Sequence, residues 1–247
     1  MVQEISIETA AQRKKSDTLF ILGSGYSIKD LTSAEISKME QHDTLSFSWF
    51  VHQNFIRADF HLVREVASDD CNPTIWREEF RKYAQLLKKN PYYKKTIFIL
   101  HVGLGSIRAL LSDSFPEGAE GLFYYNRPKG TRYPNDDFRA SFGGLTHGPS
   151  TLFDCINFAY LLRRRKIVLV GVDLYDRRYF WLEHNQTRRN DMIRDKTYRN
   201  KHNTAWETII WAKRWRKYFQ KKGVELYVYN PRSLLVQSLP IFTFGRI

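Results

Sequence analysis

Short apolar runs alternate with segments of helical spacing along most of the chain. Apolar runs that end in glycine or polar residues are typical of buried parallel strands. They lie at residues 18–25, 43–51, 58–65, 95–103, 166–175 and 224–230. Segments with helical periodicity separate them, most clearly at residues 74–90, 151–165 and 202–223. This alternation predicts an α/β fold with a single doubly wound, mostly parallel, Rossmann-like sheet.

The length of 247 residues suits one large domain. Residues 1–17 lack an apolar run, and we interpret them as an N-terminal extension of a domain covering residues 18–247. Residues 112–145 are rich in Gly, Pro and Asp, which favours a long irregular excursion. Residues 176–201 are polar and basic without apolar periodicity, which predicts either a lid over the site or a solvated loop.

The positive charge of the chain is concentrated in one quarter of it. Residues 161–222 carry 18 basic and 6 acidic side chains, whereas residues 1–160 carry 19 of each. A local excess of this kind indicates a site for an anion.

Several classes of protein are disfavoured by the composition. The two cysteines, Cys71 and Cys155, fit no metal or disulfide framework and favour a reducing compartment. No apolar stretch approaches the length of a membrane span, and the N-terminus has no secretory signal pattern. No nucleic-acid-binding signature accompanies the basic residues, so we expect no nucleic acid partner.

Ligands of doubly wound sheets bind at the carboxyl ends of the strands. There the first strand ends in Gly23, Ser24 and Gly25, where the backbone can approach a phosphate or simply turn tightly. Ser150 and Thr151 open a helix and can either bind an anion or serve as an ordinary N-cap.

A second group of candidates follows the strand that begins at residue 166. Asp173 closes this strand, where a buried carboxylate must cap a turn or hold a ligand hydroxyl. Tyr175 and Tyr179 can donate phenolic hydrogen bonds to a phosphate, or pack as ordinary aromatics. His202 stands at the end of the basic segment, where a neutral imidazole is suited to accept a proton.

The helix at residues 202–223 combines aromatic and basic side chains. One aromatic face could pack in the core, or the helix could contact an anionic membrane surface. Nucleic acid is a third alternative, which no accompanying motif supports.

Taken in order, these segments resemble the bacterial lipooligosaccharide sialyltransferases, glycosyltransferase family 42. The likeness rests on ILGSGYSI, SFSWF, PST, GVDLY, HNT and LYVYNPRSLL, spread over roughly residues 18–240. It implies a variant of the type A glycosyltransferase fold with a lid. The implied reaction is an inverting, metal-independent transfer of a nonulosonic acid from its CMP-activated form to a hydroxyl of a surface glycan.

The resemblance also implies roles for individual residues. Gly23, Ser24, Gly25 and Ser48 would hold the nucleotide, with Asp173 among the donor-binding residues. Ser150 and Thr151 would contact the sugar carboxylate or phosphate. Tyr175 and Tyr179 would bind the leaving phosphate, and His202 would be the base, with His147 and His184 as the alternatives for that role. No metal or other cofactor is expected, and the location would be cytoplasmic, peripheral to the inner membrane.

Some alternatives stay open. Ser24, Tyr26 and Ser48 stand where the family has Asn or Pro, so the donor is a sialic acid, Kdo or a pseudaminic-type acid. Relatives of this fold include pterin pyrophosphokinases, and a non-catalytic binder of polyanions or membrane surfaces is a third class. A homo-oligomer is also left open.

Overall fold

In the computed structural model, the strands form one sheet in the order β1-β6-β5-β4-β3-β2-β7-β8. The structure describes residues 2–64, 73–101, 115–128, 130–137, 144–175, 178–183 and 204–245. The strands are β1 (Gln3–Glu4), β2 (Thr18–Leu22), β3 (Asp43–Phe47), β4 (Phe60–Val63), β5 (Ile97–His101), β6 (Glu120–Tyr124), β7 (Lys166–Val170) and β8 (Glu225–Val228). Every pairing between them is parallel. The predicted α/β class is therefore confirmed.

Among the described residues, helices pack on both faces of this sheet. They are α1 (Ile7–Gln12), α2 (Ser33–Glu40), α3 (Pro73–Lys89), α4 (Thr151–Leu161) and α5 (Thr204–Gln220). Leu19 and Ile21 of β2 belong to an apolar cluster with Phe158 of α4 and Trp215 of α5. Phe20 and Leu22 point to the opposite face, because side chains alternate along a strand.

The direction of strand progression reverses beside β2. From β2 the chain moves outward through β3, β4, β5 and β6, whereas β7 and β8 lie on the other side of β2. The switch point of the sheet thus lies between β2 and β7, and a crevice at their carboxyl ends is the usual ligand site of such folds.

Two regions differ from the sequence interpretation. The excursion predicted at residues 112–145 contains β6, and the extension predicted at residues 1–17 contributes α1 and β1. Strand β1 pairs with β6 through Gln3 opposite Glu120. A Cβ at Gly121 would lie 2.7 Å from a methyl of Val2, so this glycine permits the close approach. Its presence within an apolar run is what made β6 resemble a loop.

Candidate functional site

The turns that follow β2 and β7 are pressed against each other at the switch point. The amide of Gly23 donates to Val170 O at 2.8 Å, and the amide of Gly25 donates to Gly171 O at 2.8 Å. A Cβ at Gly23 would lie 2.7 Å from Gly171 O, and a Cβ at Gly25 the same distance from it. The glycines are therefore required by backbone packing, whatever else the turn does.

Ser24, between these two glycines, has a buried hydroxyl without a partner among the described residues. Buried hydroxyls in folded proteins are nearly always hydrogen-bonded, so an orphan at a switch point indicates a ligand or water. Its backbone carbonyl accepts from the amide of Phe180 at 3.3 Å.

Asp173 packs against this turn and is only 3% exposed. Its carboxylate accepts hydrogen bonds from the Ser27 amide at 2.9 Å, from the Ser27 hydroxyl, and from Asn230 Nδ2 at 2.9 Å. These contacts join the segments that follow β2, β7 and β8. The carboxylate holds the turn in place, which is one of the two roles that the sequence left open.

Each of the two candidate tyrosines contacts a different part of this region. Tyr175 is 42% exposed, and its hydroxyl lies 3.4 Å from Asn230 Nδ2. Tyr179 forms an antiparallel bridge with Gly25, and its ring stacks on Trp181 at 4.6 Å between centroids. The structure thus brings the start of the predicted lid onto the glycine turn.

Ser48 begins a single 3-10 turn, Ser48–His52, directly after β3. Its φ of 51° is left-handed, a conformation that costs energy for most side chains. The Ser48 carbonyl accepts a hydrogen bond from the hydroxyl of Tyr83 at 3.2 Å. This contact helps to hold the turn in its strained conformation.

A buried hydrogen-bond chain runs from this tyrosine into the sheet. The His61 ring bonds Tyr83 through Nε2, and its Nδ1 lies 2.7 Å from Ser46 Oγ. Because Tyr83 donates to Ser48, His61 Nε2 is assigned as its donor and Nδ1 as the acceptor from Ser46. Burial lowers the pKa of His61 to about 3, so the ring is neutral.

Lowering the pH from 7 to 5 is expected to destabilise the parent protein more than the His61→Gln variant. The pKa of His61 is about 3 when folded, against 6.5 for an exposed histidine. The stabilisation that the neutral His61 ring gives to the folded state is therefore complete above pH 6.5. Below that pH, the free energy of unfolding falls by about 1.4 kcal/mol per pH unit. In urea unfolding at both pH values, the parent should lose roughly 2 kcal/mol more than the variant. Equal losses would contradict the neutral buried ring.

Ser150 and Thr151 stand at the start of α4. This helix packs against β2, β3 and β7 and runs from the carboxyl edge of the sheet towards the start of β7. Ser150 is the N-cap residue, but its side chain makes no capping hydrogen bond. The simple capping role is therefore wrong for its hydroxyl, and the first amides of α4 are suited to an anion.

His202 and most of the predicted lid lie outside the described residues. Within the basic segment of residues 176–201, the structure describes Arg178. Its guanidinium lies 4.0 Å from the centroid of the Tyr26 ring. Trp181 continues the stack from Tyr179 onto His52 at 4.7 Å, which ties this segment to the turn that begins at Ser48.

The aromatic side chains of α5 are largely core residues. Trp215 and Phe219 are fully buried, and Trp211 and Tyr218 pack against the same cluster. Trp206 is 56% exposed and Ile210 is 41% exposed. Packing in the core therefore explains most of the regularly spaced aromatic side chains of α5.

Two potentially functional residues, Asp154 and Asn230, were not singled out from the sequence. Ser27, His61 and Arg64 lie at strand ends that the sequence did indicate, although no site role was assigned to them. Asn230 belongs to LYVYNPRSLL, so its motif was visible but its contact with Asp173 was not. Within the described ranges, no group of three or more His, Cys, Asp or Glu could hold a metal ion. No described helix is both long and apolar enough to cross a membrane.

The fold and site define an α/β protein with a polar, glycine-lined turn at the switch point of a parallel sheet. No family model matches the sequence, and no curated protein matches it. Two sialyltransferases from Campylobacter jejuni are structural neighbours. CstII, solved with the substrate analogue CMP-3FNeuAc, is 16% identical, with 91% of this chain and 84% of that chain covered and a TM-score of 0.43. The monofunctional alpha-2,3-sialyltransferase Cst-I is 14% identical, with 94% and 84% covered and the same TM-score.

Proposed function

We propose that this protein is a sialyltransferase-like glycosyltransferase that moves a nonulosonic acid from a CMP-activated donor to a glycan hydroxyl. The observation that carries the proposal is the construction of the switch point. There, the Asp173 carboxylate accepts hydrogen bonds from Ser27 and Asn230. The adjacent glycine turn carries a buried Ser24 hydroxyl that has no partner among the described residues, and the exposed Tyr175 lies beside Asn230. The resemblance in sequence supplies the class of donor.

In this proposal each part of the site meets one part of the donor. The nucleotide is held by the turn at Gly23–Gly25 and by the turn that begins at Ser48. Asp173 positions the first of these turns through its hydrogen bonds to Ser27. The first amides of α4 and the hydroxyls of Ser150 and Thr151 meet the sugar carboxylate.

The leaving group is the phosphate of CMP, whose negative charge grows as the glycosidic bond breaks. The phenols of Tyr175 and Tyr179 donate hydrogen bonds to it and stabilise that charge without a metal. The acceptor oxygen attacks the opposite face of the anomeric carbon, so the configuration inverts. The proton of the acceptor hydroxyl must pass to a base, a role that the resemblance assigns to His202.

The exposed stripe of α5 suits the surface on which a membrane-linked glycan would be extended. Trp206, Ile210, Lys213 and Lys217 are all exposed and lie along one side of the helix. Apolar and cationic side chains on one helix face favour an anionic membrane surface. We therefore propose a cytoplasmic enzyme that is peripheral to the inner membrane.

The transfer assay distinguishes the donors and the reaction classes. The protein is incubated with a lipooligosaccharide acceptor and CMP-sialic acid, CMP-Kdo or a CMP-pseudaminic-type acid, with and without EDTA. We expect acceptor-dependent release of CMP with one of these donors, unchanged by EDTA, and an inverted linkage by NMR. Pyrophosphate transfer to a pterin from ATP, abolished by EDTA, would contradict the proposal.

Tyr175→Phe provides the internal test of the site. Loss of one hydrogen bond to the developing charge should reduce the transfer rate by roughly 10²-fold. Tyr227→Phe is the matched control, because this hydroxyl bonds Glu225 at the start of β8, at the opposite edge of the sheet.

A further inference from the structure

A row of four stacked aromatic rings connects the turn after β3 to the segment after β7. Trp49 stacks on His52 with 5.6 Å between ring centroids, and His52 stacks on Trp181 at 4.7 Å. Trp181 in turn stacks on Tyr179 at 4.6 Å. The angles between neighbouring ring planes are 25°, 14° and 22°, so the rings lie nearly parallel. One end of this aromatic row is therefore the tyrosine that is proposed to bind the leaving phosphate.

The other end of the aromatic row is anchored on α3. The Trp49 ring packs edge-on against the ring of Tyr83, with 5.4 Å between centroids, and Tyr83 is only 1% exposed. The Tyr83 hydroxyl also donates to Ser48 O at 3.2 Å. The turn that carries Trp49 and His52 is thus held by the core, which gives the aromatic row a fixed base.

The main chain of Tyr179 is held separately, on the glycine turn. Tyr179 forms its bridge with Gly25, and the amide of Phe180 donates to Ser24 O at 3.3 Å. These contacts determine where the Tyr179 side chain begins, but its two torsion angles still determine where the hydroxyl points. The face of Trp181 against the Tyr179 ring restricts those torsions.

The direction of this hydroxyl matters for the proposed reaction. A donor stabilises a developing charge most when it already points at the position where that charge appears. A displacement of about 1 Å at such a group can cost about 10²-fold in rate. A ring that fixes the Tyr179 phenol can therefore affect the reaction without contacting the substrate.

We propose that Trp181 is a positioning residue, which aims the Tyr179 hydroxyl at the leaving phosphate and ties it to the turn that begins at Ser48. The inference rests on the proposed function and deepens it, because it names what orients one of the two phenols. The atoms of Trp181 take no part in bond making or breaking.

The test is a double-mutant cycle in the transfer assay with Trp181→Ala, Tyr179→Phe and the double variant. Trp181→Ala should lower kcat by about tenfold or more and keep the KM for the donor within about threefold, because the hydroxyl is present but no longer aimed. Tyr179→Phe should lower kcat by roughly 10²-fold. In the Tyr179→Phe background, Trp181→Ala should change kcat by less than about twofold, because the hydroxyl through which it acts is gone.

Three further variants separate positioning from general packing. Trp181→Phe keeps a ring that can stack and should stay within about threefold of the parental kcat. Trp181→Leu keeps apolar contact without an aromatic face, and repeats the cycle should Trp181→Ala lose the fold. Tyr133→Ala is the matched control and should keep the parental kcat. The Tyr133 ring is 51% exposed and stacks on Tyr218, near the end of α5 at the amino edge of the sheet.

The outcomes separate this inference from the proposed function. A parent protein that transfers sugar, while Trp181→Ala lowers kcat by the same factor with and without the Tyr179 hydroxyl, would overturn the inference alone. A parental kcat in Trp181→Ala would do the same. A parent protein that transfers no sugar from any CMP donor would overturn both.

Discussion

Replacing Gly25 by alanine is expected to weaken CMP binding by more than tenfold. The backbone of Gly25 has a φ of −66°, which alanine adopts freely, so the effect comes from contact alone. The new Cβ would lie 2.5 Å from Asp173 Oδ2 and 2.7 Å from Gly171 O. Either these groups or the turn at Gly23–Gly25, which is proposed to hold the nucleotide, must therefore move.

The displacement should also reduce stability, by about 1–3 kcal/mol for overpacking of this kind. Gly118→Ala is the control, because its φ is +69° but no atom lies within 4 Å of the added Cβ. It should cost about 1 kcal/mol through the backbone alone and leave CMP binding unchanged. Calorimetric titration with CMP measures the affinity of both variants. If Gly25→Ala bound CMP with the parental affinity, the assignment of this turn to the nucleotide would be contradicted.

Replacing Arg164 by alanine is expected to have the largest effect on stability, with CMP affinity of the folded protein unchanged. Arg164 is 1% exposed and donates from Nε to Asp43 Oδ2 at 2.7 Å, and Asp43 is fully buried. Burial already raises the pKa of Asp43, because a desolvated carboxylate resists ionisation. Without its guanidinium partner this charge is left uncompensated, which typically costs about 3–5 kcal/mol.

The pair lies at the start of β3 and just before β7, the amino edge of the sheet, away from the candidate site. Arg13→Ala is the control, since Arg13 pairs with Glu120 at the surface and such pairs are worth about 1 kcal/mol or less. Urea unfolding measures both variants. If both variants lost a similar free energy of unfolding, burial of the Asp43–Arg164 pair would be shown to make no difference to its contribution to stability.

The sequence predicted β2, β3, β4, β5, β7 and β8, because each of these strands lies within an apolar run. β2 and β7 are buried on both faces and therefore appear as continuous hydrophobic runs. β1 has only two residues and depends on pairing with β6, so nothing local identifies it. β6 itself was obscured by Gly121, whose reason lies in contact with Val2 from the distant N-terminus.

The same distinction applies to the candidate site. Gly23, Gly25 and Asp173 stand at recognisable positions, because strand ends and glycine turns are local features of a sequence. The contact of Arg64 with Asp154 joins residues 90 positions apart, and that of Asn230 with Asp173 joins residues 57 apart. Such partners are determined by strand order, which the local pattern does not contain.

The most direct test of the central claim is a calorimetric titration of the parent protein with CMP, beside a titration with ATP and Mg²⁺. We predict saturable binding of one CMP per chain and no comparable binding of ATP with Mg²⁺. Absence of CMP binding at millimolar concentration would contradict the assignment of a CMP-activated donor to this site.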